Sequence, residues 1–156
     1  MIYSYEKYSD QLQFPNEVLY SIFYHDYIYV SSKKDNELKS AEYAIKILPN
    51  NANLNSKMVF DTIVATQLHQ HNDKDINWLI DFDLKVLARD WEDYKIYFEQ
   101  IRKEYRIYPD FLYKPGRAKA LKHFLENEFI FQTETFRNLF EEKARINIEK
   151  EISLLM

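Results

Sequence analysis

The sequence predicts an all-α protein, and three observations carry that expectation. A single glycine in 156 residues leaves few sites for the positive-φ turns of β-hairpins. Apolar residues recur at three- and four-residue spacing along most of the chain. The four prolines stand at the edges of those periodic stretches or interrupt them. The 13 Tyr and 11 Phe are not taken as strand formers, because Tyr, Ile, Lys and Asn rise together in AT-rich coding sequence.

The elements follow in order. Pro15 suits the first position of a helix, where its missing N–H costs nothing. Val18, Leu19, Ile22 and Phe23 then share a face, and one further turn places His25 and Asp26 on it, pointing toward the core. A loop at Ser32–Asp35 starts a second helix whose buried stripe is Leu38, Ala41, Ala44, Ile45 and Leu48, ended by Pro49. A further helix is predicted from about Lys57 to His69. In the next, Ile76, Leu79, Ile80, Leu84 and Leu87 form a stripe with Asp83 near its centre and Asp81 off it, so Asp83 is expected buried and Asp81 exposed. Asp90 caps a helix bearing Trp91, Tyr94, Phe98, Ile101 and Tyr105. Pro109, Pro115 and Gly116 are expected to interrupt the chain, with Arg117 opening another helix on the same face as Leu121, and a long final helix spans roughly 134–154. Length and the absence of repeats or linkers predict one domain over 1–156.

Composition narrows the function. There is no cysteine, hence no disulfide, thiolate metal site or Cys nucleophile, which fits a reducing, cytoplasmic setting. The start, MIYSYEKYSD, is not a signal peptide, and no stretch has the length of a membrane span. A net charge of -4 argues against a polymeric nucleic acid as partner. The charge is uneven: residues 1–101 hold 10 Lys+Arg against 16 Asp+Glu, and 102–156 hold 11 against 9, so either the first part suits a cation and the second an anion or the difference is random drift.

Buried carboxylates and histidines need a partner or a metal. Imidazole plus two carboxylates at His25, Asp26 and Asp83 suits Mn, Fe, Co, Ni or Zn, and the carboxylates tolerate Mg. Periodicity alone leaves open a structural pair of capped core His and helix-end Asp. Glu37 is a candidate for orienting a reacting water beside Asp26, or simply complements its helix dipole. Arg102 and Arg117 have the geometry to hold phosphate, or to form interhelix ion pairs. His69 stands between a substitute ligand and a solvated helix-end residue. His71 and His123 read as exposed, and Tyr27 and Tyr29 as pocket walls or core.

The blocks FYHDYIY, DNELKSAEYA, DFDLKVL, IRKEYRIYPDFLYKPGRAKALKHFL and FRNLFEEKARINIEKEI, in this order from about Pro15 to Leu155, resemble a bacterial family of predicted metal-dependent HD-superfamily phosphohydrolases. The resemblance implies an all-α, HD-domain-like helical bundle whose ion is held by a first His, a His-Asp pair and a later Asp. His25 and Asp26 match the pair and Asp83 the later Asp. It further implies a divalent cofactor and a small-molecule phosphate ester or nucleotide as substrate. One departure stands out: the family's first ligand lies upstream in a Tyr-His…His-Ile segment, and this chain has no histidine before His25, with Met1 and Ile2 near the matching position. Either the reading frame starts late or a ligand has been lost, and weak metal binding is expected. The alternative is a non-catalytic HD-fold domain that binds a ligand or a protein partner. An HD-type di-iron oxygenase ranks last, since it needs further histidines and only His69 is at hand.

Overall fold

The computed structural model describes Met1 through Met156 and contains helices but no strand. The order is α1 (Ile2–Tyr8), a 3-10 turn (Ser9–Gln11), α2 (Pro15–Tyr24), α3 (Asn36–Ile47), α4 (Ser56–Ala65), α5 (Lys74–Leu84), a second 3-10 turn (Lys85–Ala88), α6 (Trp91–Glu104), α7 (Asp110–Glu126) and α8 (Glu134–Leu155). No helix is long and apolar enough to cross a membrane. The chain divides into two compact units, Met1–Asp83 and Leu84–Met156.

In the first unit, α3 and α4 pack against each other and α2 packs on both. Ala41, Ala44, Val59 and Ile63 are completely buried, and Tyr20, Tyr24, Ile45, Phe60 and Val64 close around them. Small alanines on α3 allow the close approach, while Leu38, assigned to the stripe, is exposed. Polar side chains fix the connections. Glu17, buried in the first turn of α2, accepts the Asn55 N–H at 2.9 Å, and Asn55 in turn caps α4 by accepting from the Met58 N–H at 3.1 Å. Asp75 of α5 accepts both the Gln13 N–H (3.0 Å) and the Phe14 N–H (2.6 Å), satisfying donors just before Pro15. Trp78, one turn on, stacks on Tyr8 of α1 with centroids 5.2 Å apart.

Those contacts explain a reversal. Asp81 is fully buried and the Asp83 side chain is 29% exposed, opposite to the expectation from one apolar stripe. α5 has a second buried face, carrying Asp75, Trp78, Asp81 and Phe82, so a single-stripe reading does not describe it. The helix also tightens to 3-10 winding after Leu84.

In the second unit, α8 packs on α7, on α6 and on the 3-10 turn. Its polar residues hold the surrounding chain. Asn147 donates to the carbonyls of Leu87 (2.8 Å) and Arg89 (2.9 Å), Glu141 accepts from the Ile130 and Phe131 N–H groups, and Arg145 donates to the carbonyls of Leu125, Asn127 and Glu128. The expected break at Pro115 and Gly116 does not occur, since α7 runs through both. Proline there removes one backbone hydrogen bond near the start of a 17-residue helix, and the remaining ones carry the helix past it.

Candidate functional site

The candidate site lies in the first unit, at the end of α2. The His25 N–H bonds to the Ser21 carbonyl at 2.9 Å and continues the helix by one residue. Its ring is buried, and Nδ1 lies 2.9 Å from the Ile22 carbonyl. A carbonyl only accepts, so Nδ1 carries the proton in that bond and the Nε2 position faces the other way. Nε2 is 3.3 Å from Asp26 Oδ2 and 3.6 Å from Asp83 Oδ1. The second oxygen of Asp83, Oδ2, is 3.6 Å from His69 Nε2. Four side chains therefore form a row: His69, Asp83, His25, Asp26.

Each member is positioned by its own backbone. His69 sits in the turn after α4 with φ of 53°, a left-handed conformation that non-glycine residues adopt at a cost. Its N–H bonds to the Ala65 carbonyl at 3.0 Å. Asp83 projects from the last turn of α5. The strand of chain leaving Asp26 is tied to α3: Ser40 Oγ accepts the Ile28 N–H (3.0 Å) and donates to the Ile28 carbonyl (3.2 Å), and Asn36 brackets Val30 through its N–H and carbonyl. Tyr27 stacks on Tyr43, centroids 4.6 Å apart.

The electrostatics follow from this row. Burial alone would lower the pKa of His25, but its contacts with Asp26 and Asp83 outweigh burial and raise it to about 10. Burial alone would likewise raise Asp83, while His25 and His69 hold it well below the usual carboxylate range. At neutral pH His25 is thus an imidazolium between two carboxylates. No group of three or more His, Cys, Asp or Glu side chains is arranged as a ready metal cage. The separations between neighbours in the row are 3.3–3.6 Å, and Asp83 meets His25 and His69 through different oxygens. Asp26 is 64% exposed, which leaves it room to rotate. Two imidazoles and two carboxylates fit a borderline transition metal better than Mg.

No protein-family model, curated protein or solved structure matches this chain. The assignment of a function therefore rests on the site.

The sequence candidates Glu37, Arg102 and Arg117 fall outside the row. Asp26 belongs to it but is exposed, one residue past the helix face, where it was expected to point into the core. Glu37 is half-buried in the first turn of α3 and takes no part in these ion pairs; its neighbours Asn36 and Ser40 make the contacts to the segment after Asp26. In the second unit, Arg102 donates to Asp110 Oδ1 (2.7 Å from Nη2) and to the carbonyls of Tyr105 and Tyr108. Arg117 grips Glu151 through Nε (2.7 Å) and Nη2 (3.2 Å). The Glu151 carboxylate is 1% exposed and also accepts from the Tyr94 hydroxyl at 2.5 Å. Both arginines thus hold ion pairs between helices. His69 enters the site although its sequence context marks only a helix end, and no periodicity places a residue that follows the last helical turn.

Proposed function

We propose that this chain is a metal-dependent phosphohydrolase of HD type, with an HD-like arrangement of its helices and a small phosphate ester, possible substrates including nucleotides, as its target. The observation that carries this reading is the row itself. A buried imidazole has its Nδ1 proton fixed on the Ile22 carbonyl and its Nε2 turned toward Asp26 and Asp83, and a second imidazole reaches Asp83 from the far side. An Nδ1–H held by a carbonyl is the outer contact that orients metal-binding histidines. His25, Asp26 and Asp83 would hold the ion, with His69 as the fourth donor in place of the upstream histidine that the family resemblance implies. A divalent ion bound there would polarise a phosphoryl oxygen and lower the pKa of a coordinated water. Asp26, exposed beside His25, is placed to accept a proton from that water, and Asp83 keeps its charge at any neutral pH because both histidines favour it.

One observation favours a second reading. His25 already carries a proton between its two carboxylates, so the row is electrostatically satisfied without an ion. On that reading the domain is non-catalytic, and the row joins α2, α5 and the turn after α4. Calorimetric titration with Mn separates the two. The enzyme reading expects stoichiometric binding, lost in Asp83→Asn and weakened at least tenfold in His69→Ala, together with Mn-dependent hydrolysis of 4-nitrophenyl phosphate. Absence of Mn binding in the folded wild-type chain sinks it.

A further inference from the structure

The second unit contains a cavity of about 340 Å³ between α6 and α7 that the metal reading does not use. Its volume is at the low end of the ~300–1,000 Å³ range of small-molecule sites, which suits a one- or two-ring molecule. Tyr105, Tyr108 and Tyr113 contribute aromatic walls, with Tyr105 6.2 Å from each of the other two rings, and Ile101 and Leu112 add aliphatic ones. Flat rings flanked by aromatics and branched aliphatics favour a flat guest.

Two residues that carry hydrogen-bond donors, Arg117 and Tyr113, line the same cavity. Arg117 turns its Nε and Nη2 edge to Glu151, and its Nη1 end has no hydrogen-bond partner. The Tyr113 hydroxyl has none either, although the residue is only 8% exposed. The Arg117 side chain stays 15% exposed, so it is not sealed from solvent. Burial raises the Tyr113 pKa, so the phenol keeps its proton and acts as a donor. The charges decide what these donors accept. Arg117 is already neutralised by Glu151 and Arg102 by Asp110, so an anion entering the cavity gains little net attraction and feels the buried Glu151. A neutral acceptor oxygen takes both donors without that penalty.

We infer that this cavity binds a flat, uncharged heteroaromatic molecule, its rings against the three tyrosines and a ring carbonyl oxygen on Arg117 Nη1 and the Tyr113 hydroxyl. The inference rests on the second unit alone and stands whether or not the first binds a metal.

The test uses the full chain, with 2-quinolone as the probe and benzoate as an anion of similar shape, followed by the methyl resonances of Leu112 and Ala120. The expected result is saturable shifts of those methyls with 2-quinolone and binding at least tenfold weaker with benzoate. Tyr113→Phe, which keeps the ring and removes one donor, should weaken 2-quinolone about tenfold. Leu112→Trp, at a position already 54% exposed, should abolish binding by filling the cavity while the chain stays folded. Unshifted methyls at saturating 2-quinolone overturn the inference. So does benzoate binding as tightly as 2-quinolone, or an affinity indifferent to both substitutions.

Discussion

Replacing His25 by Gln tests the electrostatics of the candidate site through the pH dependence of stability. The folded-state pKa is raised to about 10 against an ordinary value of 6.5. A raised pKa means that the folded chain holds the proton more tightly than the unfolded one. The resulting stabilisation is complete below pH 6.5 and is lost as the pH climbs from 6.5 through 10. Moving from 6.5 to about 10 corresponds to at most about 5 kcal/mol. Asp83 is 29% exposed and Asp26 64%, so solvent screening reduces the expected contribution to roughly 2 kcal/mol. The assay is urea unfolding of the wild type and His25→Gln at pH 6, 7.5, 9 and 10, in the presence of a chelator. The difference between the two proteins cancels the ionisation of the 13 tyrosines and other shared groups. It should shrink by roughly 2 kcal/mol across that window, and the His25 ring Cε1 proton should not titrate between pH 5 and 8. A difference that is constant with pH, or a ring that titrates near 6.5, would refute the argument.

Three further outcomes are expected. If Mn binds, each ion should release about one proton at pH 7, because the ion replaces the proton on His25, and affinity should rise about tenfold per pH unit; calorimetry in two buffers of different ionisation heat measures both. Glu151→Ala should cost about 3 kcal/mol, as it leaves the largely buried Arg117 guanidinium without a counter-charge and the Tyr94 hydroxyl without an acceptor, whereas the double change Arg117→Met with Glu151→Leu should cost less; urea midpoints compare them. Asp75→Asn keeps the shape but retains one acceptor oxygen for the two N–H groups of Gln13 and Phe14, and should lower stability by about 1–2 kcal/mol, with the faster amide exchange confined to the start of α2.

The readable parts of this fold are those governed by local chemistry. Pro15 at the first position of α2 and the span of α8 follow from proline and long-range periodicity; Asp90 stands before α6 as expected, but its carboxylate pairs with Lys143 and does not cap the helix. α1 has no stripe of its own to announce it; what places Tyr8 is the Trp78 ring, 70 residues away in sequence. Periodicity also misleads where an element is buried on two faces, as α5 is, and so it exchanges the exposures of Asp81 and Asp83. The structure nonetheless brings Asp83 within 3.6 Å of His25, since a partly exposed side chain at a helix end reaches a buried ring as well as a buried one does. The sequence leaves His69 open between a substitute ligand and a solvated helix-end residue, because a backbone of positive φ is written in no apolar pattern. The role of Asn36 and Ser40, next to the more conspicuous Glu37, depends on a loop that returns to α3, and no local rule specifies that return.

Position 69 sets folding against chemistry. A left-handed backbone there is open to glycine without a steric penalty, and an L side chain costs roughly 1 kcal/mol. His69→Gly should therefore relieve strain while depriving Asp83 of one of its two imidazole neighbours. A selection for heat resistance alone would drift toward glycine at this turn, and a selection for whatever the row of four side chains does would hold the imidazole in place. Which residue prevails when the chain is evolved under each pressure separately would reveal whether the strain at 69 is an accident of the turn or the cost of keeping a working side chain there.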